Sequence, residues 1–313
     1  MRVLFWGTPE FATPPLRALL GEGYDVVGVV TQPDRPQGRS RSTLVPSPVK
    51  TIALEEGLPV LQPDRPRGPE FLAQMEALEP DLSVVVAYGH ILPQEVIDAP
   101  PMGTLNIHAS LLPALRGAAP IQAAIRQGLS ETGVTIMRMV RELDAGPVLL
   151  RTATPIVEHE SYGELQQRLA ELGALALMEA LALLSLGAVV EEPQDDTLAT
   201  YAPKVEREDA RVDWSRPADE VARVIRAYDP KPGAFTTVHG AQVKLFGARP
   251  VSGDHSGRPG EVLASAEGGL LVACGAGAVQ VAYVHPEGRR RLAAADWLQG
   301  RGVKPGDVLG SNG

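Results

Sequence analysis

The sequence predicts an α/β protein, a doubly wound, mainly parallel sheet with a smaller C-terminal β-barrel. Three observations predict it. Short apolar segments alternate with helical patterns through residue 156, as repeated βα units with right-handed crossovers require. One of these segments, Leu82–Ala87, is apolar except for Ser83, which fits a strand covered on both faces. Beyond Trp214 the pattern changes to short β-type segments broken by glycine, the mark of a small barrel.

In chain order, Val3–Trp6 reads as a buried strand and Pro9–Leu20 as a helix with Pro14-Pro15 near its start, where missing N–H groups cost little. Asp25–Val30 is a strand, Pro46–Glu56 a helix, Pro59–Gln62 a short extended piece, Glu70–Leu78 a helix and Leu82–Ala87 a strand. Gly103–Ser110 follows as a strand and Ile121–Gln127 as a helix; Thr132–Val140 and Pro147–Ile156 are strands that can add an antiparallel edge. Ser161-Tyr162-Gly163-Glu164 is a capping box that opens a long helix, with Leu165, Leu169, Leu172, Met178, Leu181 and Leu184 on one face and Gly187 as a stop. After a polar stretch, Pro217–Ala227 is helical, and β segments follow around Gly233–Val238, Gln242–Phe246, Gly260–Ala264, Leu270–Cys274 and Ala278–Val284. A chain of 313 residues accommodates two domains. The expected division is 1–190, a linker over 191–206, and 207–313.

Composition narrows the function. No run of about 18 apolar residues is present, so no transmembrane helix is expected. The chain opens on a buried-strand pattern with no signal or transit peptide ahead of it, and a cytoplasmic location is expected. Cys274 is the only cysteine, which excludes an internal disulfide and a cysteine-based zinc site. A net charge of −9 argues against non-specific nucleic-acid binding, which rests on many phosphate contacts. The halves nevertheless differ in sign: residues 1–203 carry 14 basic and 25 acidic side chains, residues 204–313 carry 15 and 13. Two segments are locally basic. Arg35, Arg39, Arg41 and Lys50 stand with one acid, Asp34, and Arg289, Arg290, Arg291, Arg301 and Lys304 with Glu287 and Asp296. The first strand ends in Gly7-Thr8-Pro9, without the three glycines of a dinucleotide site. No Walker-type loop and no H-E-x-x-H occurs, and the six histidines are scattered, so no metal site is expected.

The densest polar cluster is Asn106-Ile107-His108-Ala109-Ser110-Leu111-Leu112-Pro113, at the end of a predicted parallel strand. Ligands of open α/β sheets bind at such carboxyl ends. Alternation places Asn106, His108 and Ser110 on one side. A second candidate is Asp144, in the turn before Gly146-Pro147.

With Asn106-x-His108 stand Arg116-Gly117-Ala118-Ala119-Pro120, Gly133-Val134-Thr135-Ile136-Met137 and Leu143-Asp144. Together they resemble the 10-formyltetrahydrofolate-dependent formyltransferases. The likeness continues through Phe5–Ala12, Thr31–Pro36, Pro46–Lys50, Val86–Gly89, Ile91–Pro93, Thr200–Lys204, Asp213–Ser215 and Arg289–Leu292, nearly the whole chain. The sequence departs from the family's usual pattern at Ala114-Leu115, where Arg-Trp often stands, at His90, and at Lys231-Pro232.

The resemblance implies a Rossmann-like formyltransferase domain with an OB-like C-terminal barrel, and a monomer. It implies 10-formyltetrahydrofolate as co-substrate and, as acceptor, the α-amine of methionine on initiator methionyl-tRNA. Asn106, His108 and Asp144 match the catalytic trio. Tyr88, Ile91, Leu92 and Pro93 match the lining of the pterin pocket, and Ser110, Leu111, Leu112 and Pro113 a folate-contacting turn. The loop with Arg35, Arg39, Arg41 and Lys50 corresponds to a segment that enters the tRNA acceptor stem, and the barrel with Arg289, Arg290 and Arg291 to an RNA-facing domain. The loop is expected to order on binding. An amino-sugar nucleotide formyltransferase, or a hydrolase passing the formyl group to water, is the alternative on the same fold.

The chemistry needs these residue types. An amine attacking a formyl carbon creates a tetrahedral oxyanion, which fixed donors such as Asn106 and His108 can stabilise. Asp144 can act as base, directly or through a water, or can favour the charged form of His108; both roles fit.

Overall fold

The computed structural model describes residues 1–37, 43–251, 253, 255, 257–264 and 269–310. Internal contacts divide the chain into two units. Unit 1 comprises Met1–Gly117, Thr132–Thr154 and Gln166–Tyr201; unit 2 comprises Ala118–Glu131, Pro155–Leu165 and Ala202–Gly313.

Unit 1 is built on strands β1 (Arg2–Gly7), β2 (Asp25–Val30), β5 (Val60–Leu61), β6 (Leu82–Val86), β7 (Thr104–His108), β8 (Glu131–Arg138) and β9 (Val148–Pro155), in the sheet order β5-β2-β1-β6-β7-β8-β9. The pairs from β5 to β7 are parallel, and β8 runs antiparallel to β7, forming the expected antiparallel edge. The central strands are buried throughout from Val3 to Gly7 and from Leu82 to Val86. Leu4, Trp6, Val27, Val30 and Val85 form one core with Phe71, Met75, Tyr88 and Leu92.

The helices follow local chemistry. A 3₁₀ turn, Glu10–Ala12, precedes α1 (Thr13–Gly21), whose prolines lie in its first turn. Ser47 caps α2 (Pro48–Glu55) by accepting the Lys50 backbone N–H at 3.0 Å. The helix α3 (Pro69–Glu76) contributes Phe71 and Met75 to the core, and α4 (Gln94–Ile97) is a single turn. The long helix α6 (Tyr162–Ser185) opens with the expected capping box: Ser161 N–H donates to Glu164 Oε2 at 2.9 Å, and Glu164 N–H to Ser161 Oγ at 3.4 Å. Further along, α6 passes against β7. A Cβ on Gly173 would stand 3.0 Å from Ile107 Cγ2.

Two readings from the sequence need correction. The Thr31–Lys50 segment is not all loop, because β3 (Arg35–Gln37) and β4 (Thr43–Val45) pair antiparallel within it. β7 stops at His108, so Ser110 does not continue the strand alternation. Its hydroxyl instead donates to the Ala114 carbonyl at 2.5 Å and closes a turn.

Unit 2 contains α5 (Pro120–Gln127), α7 (Ala218–Ala227) and a curled antiparallel sheet. Its strands are β10 (Ala234–Val238), β11 (Ala241–Val251), β12 (Val262–Leu263), β13 (Leu270–Ala273) and β14 (Ala278–Pro286), in the order β10-β11-β14-β13-β12, with β15 (Leu292–Ala293) added to β14. The result is a half-barrel over a core that includes Trp214, Ile225, Tyr228, Leu245, Val281 and Trp297. Trp214 Nε1 donates to Thr236 Oγ1 at 3.0 Å, so the buried indole keeps a partner. The helix α8 (Ala294–Gln299) follows β15. Among the described residues no helix is long and apolar enough to cross a membrane.

Candidate active site

The site lies in unit 1, where β7 ends. β7 is held by β6 on one side and β8 on the other: Asn106 pairs with Val85 and Met137, and His108 with Thr135. Ile107 meets α6, so alternation turns Asn106 and His108 to the opposite face. The chain then folds back through a turn fastened by Thr135, whose Oγ1 donates to the Ser110 carbonyl at 2.7 Å and accepts the Leu112 N–H at 3.1 Å. Leu112 is buried and Leu111 partly exposed, and the Leu112–Pro113 bond is cis.

This turn brings the Leu115 carbonyl to 3.0 Å from Nε2 of His108, which is only 6% exposed. A carbonyl oxygen only accepts, so Nε2 carries a hydrogen here. The other ring nitrogen, Nδ1, faces Asp144 Oδ2 at 3.6 Å. Asp144 lies in the turn between β8 and β9, at φ 51, and its side chain is 11% exposed. The same Oδ2 accepts the Gly117 N–H at 2.8 Å. The turn is tight: a Cβ on Gly146 would lie 2.0 Å from the Arg138 carbonyl oxygen, so this position requires glycine. The Asn106 carboxamide is partly exposed and has no hydrogen-bond partner among the described residues.

The structure therefore joins His108 to Asp144, with Asn106 two residues back on β7 and on the same face as His108. Such a site can hold an oxyanion at Asn106 and pass a proton through the carboxylate. The Ser110 hydroxyl is committed to the Ala114 carbonyl.

The other candidates fare differently. The Tyr88 ring is 1% exposed and packs edge-on against Trp6 with centroids 5.2 Å apart; burial pushes its hydroxyl pKa up to about 12. Leu92 is likewise buried, Pro93 partly so, and Ile91 is 84% exposed. The Tyr88 carbonyl accepts from Thr8 Oγ1 at 3.0 Å and Gln32 Nε2 at 3.1 Å, which ties this loop to the ends of β1 and β2. Arg35 is exposed and donates to Gln32, while Arg39 and Arg41 lie outside the described residues. Lys50 is committed internally: its Nζ donates to Asp34 Oδ2 and to Gln62 Oε1, both at 2.7 Å. Hydrogen bonds from Lys50 and Gln62 hold the Asp34 carboxyl below its usual range.

In unit 2, Arg289 and Arg290 are exposed. The Arg291 guanidinium carbon lies over the rings of Phe246 (4.1 Å to the centroid) and Tyr283 (4.9 Å), with Asp229 at 3.7 Å. Arg291, Tyr283 and Asp229, with Arg226 and Arg249, border a cavity of about 800 Å³. Burial raises the Asp229 carboxyl, opposed by a hydrogen bond from the Gly247 N–H and by Arg291.

Sequence reasoning missed the residues that hold the Asp144 turn. Gln194 Nε2 donates to the carbonyls of Asp144 (2.9 Å) and Gly146 (2.8 Å), and its Oε1 accepts from Arg116. The only signal was the polar stretch around Gln194, which reads as spacer.

The fold is of the Rossmann-like class, and an amide and an imidazole on β7 with a carboxylate facing the imidazole suit an acyl-transfer enzyme. The chain belongs to the formyl transferase family: its residues 1–181 match the family "Formyl transferase" and residues 204–302 match "Formyl transferase, C-terminal domain". A curated relative from Pseudomonas paraeruginosa, named methionyl-tRNA formyltransferase, is 50% identical over 312 residues, covering 99% of this chain and all of the relative. One of the same name from Citrifermentans bemidjiense is 47% identical over 310 residues, covering 99% of this chain and 96% of the relative. Among solved structures, HypX from Aquifex aeolicus in complex with tetrahydrofolic acid matches at a TM-score of 0.66 with 26% identity over 97% of this chain. The chain spans about half the length of HypX, 48%. A sugar N-formyltransferase from Shewanella shares the fold at a TM-score of 0.61 with 18% identity, over 82% of this chain and 99% of that one.

Proposed function

We propose that the chain transfers the formyl group of 10-formyltetrahydrofolate to the α-amino group of methionine on initiator methionyl-tRNA, acting as a monomer in the cytoplasm. One observation carries the reading: a full-length match at 50% identity to relatives named methionyl-tRNA formyltransferase, on a chain whose His108 and Asp144 meet at 3.6 Å.

The mechanism follows from the geometry. The methionine amine attacks the formyl carbon; the new C–N bond forms as the formyl oxygen takes up negative charge. Asn106 donates its amide N–H to that oxygen. The amine must lose a proton, and Asp144 accepts it directly or through a water. His108 stands between Asp144 and the Leu115 carbonyl, with its Nδ1 3.6 Å from the carboxylate oxygen. The C–N bond to the folate nitrogen then breaks, and that nitrogen receives the proton. No covalent enzyme intermediate and no metal enter these steps. Folate lies along the 88–93 loop and the 110–113 turn, with exposed Ile91 and the partly buried Leu111 and Pro113 facing it. Tyr88, Leu92 and Leu112 support that surface from within the core.

Methionyl-tRNA is held by exposed cations, among them Arg35 in unit 1 and Arg289, Arg290 and Arg291 in unit 2. Lys50 is paired with Asp34 within unit 1. The test is an acceptor screen: the protein is incubated with 10-formyltetrahydrofolate and methionyl-tRNA, an amino-sugar nucleotide, or no acceptor. Formylmethionyl-tRNA is expected. Transfer to the sugar alone, or release of free formate alone, would replace this reading.

A further inference from the structure

We propose that Gln194, in the stretch between the two matched family segments, is a positioning residue for formyl transfer: it fixes the turn that presents the Asp144 carboxylate to His108. The inference rests on the formyl-transfer reading of the site.

The family matches cover residues 1–181 and 204–302, so Gln194 falls in neither. In the structure this connecting stretch is stitched to unit 1. Glu192 and Val148 exchange backbone hydrogen bonds of 2.8 and 2.9 Å. Thr200 accepts the Arg116 N–H at its carbonyl (2.8 Å) and the Leu115 N–H at its hydroxyl (2.9 Å).

Between these two points sits Gln194. Its amide nitrogen spans the Asp144 turn, donating to the carbonyls of Asp144 and Gly146 at 2.9 and 2.8 Å. Its amide oxygen accepts from Arg116 Nε (3.2 Å) and Nη2 (2.9 Å). Arg116 is 4% exposed and is anchored by Asp196 at 2.8 Å. The next residue, Gly117, donates its N–H to the Asp144 carboxylate at 2.8 Å. The contacts close a ring, from the Asp144 carboxylate through Gly117, Arg116 and Gln194 back to the Asp144 carbonyl.

An amide side chain suits this place because it offers two N–H donors and an acceptor together. Glutamate would keep the acceptor for Arg116 and lose both donors. Asp144 also holds φ 51, a left-handed conformation that a non-glycine residue keeps only where its surroundings impose it. The bonds from Gln194 to its carbonyl and to that of Gly146 are such an imposition. Loosening them lets the carboxylate drift, and a misplacement of about 1 Å can cost about 10²-fold in rate.

The test compares the wild type with Gln194→Ala, Gln194→Glu and Arg116→Lys in two measurements. The first is steady-state formylation of methionyl-tRNA. Gln194→Ala is expected to lower kcat by about 10- to 10²-fold, with KM for both substrates within about twofold. Gln194→Glu is expected to stay impaired, and Arg116→Lys to shift kcat in the same direction. The second is peptide-level hydrogen exchange over residues 139–147, which is expected to rise in Gln194→Ala and Gln194→Glu. Full kcat in Gln194→Glu, or unchanged exchange over 139–147 in the variants, overturns the proposal. If Gln194→Ala does not fold, Gln194→Glu and Arg116→Lys carry both measurements. If the wild type formylates no methionyl-tRNA while exchange over 139–147 responds as expected, the substrate reading fails and the role of Gln194 in holding the turn stands.

Discussion

Asp144 Oδ2 lies 3.6 Å from Nδ1 of His108 while accepting the Gly117 N–H at 2.8 Å, so one carboxylate oxygen serves both the imidazole and the backbone of the returning turn. Asp144→Asn keeps the shape and removes the charge. If the carboxylate takes the amine's proton, kcat should fall by about 10²- to 10⁴-fold with the circular-dichroism spectrum unchanged. Turnover within a few-fold of wild type would leave Asp144 with a structural role only.

Gly146 is predicted to tolerate no side chain. A Cβ there would stand 2.0 Å from the Arg138 carbonyl oxygen. Gly146→Ala should cost about 1–3 kcal/mol of stability through overpacking and move the acid on its turn. A denaturant melt and an activity assay on the same sample should show both losses together.

Cations on the two units should separate into binders and struts. Arg289 and Arg290 are exposed and carry no ion pair among the described residues. Arg290→Ala should weaken tRNA affinity and lower the slope of log K against log salt by about 1. Lys50 bonds to Asp34 and Gln62 at 2.7 Å. Lys50→Ala should lower the Tm and leave that slope unaltered. Binding titrations at several salt concentrations distinguish the two.

The single thiol reports on folding. Burial pushes the Cys274 thiol from its usual 9.0 up to about 12. The folded state thus holds a proton that the unfolded chain releases more readily. The resulting stability is fully present below pH 9 and is lost as pH rises through about 12. Alkylation of Cys274 at pH 8 should be slow in the native protein and fast in denaturant. Rapid native labelling would contradict the burial.

Much of this was legible in the residues themselves. The apolar run of β6 and the capping box at Ser161 are local signals, and both formed where expected. Asn106 and His108 are candidates in the sequence because two polar side chains on a predicted strand end stand out against Leu105 and Ile107. Other features depend on distant partners. Gln194 meets Asp144 across 50 positions and Arg116 across 78, and no spacing rule joins such residues. Lys50 stands in the sequence with the basic loop, and its partner Gln62 is brought near only by the pairing of β5 with β2. Ser110 was read into β7 because its hydrogen bond to Ala114 closes a turn that leaves no mark in the alternation.

The most direct measurement is single-turnover formylation of methionyl-tRNA by wild type and Asn106→Ala at saturating 10-formyltetrahydrofolate. The account predicts formylmethionyl-tRNA from the wild type and a rate lower by about 10²- to 10³-fold in the variant, whose fold is retained. An Asn106→Ala protein that turns over at the wild-type rate would show that the negative oxygen is stabilised elsewhere and would contradict the account.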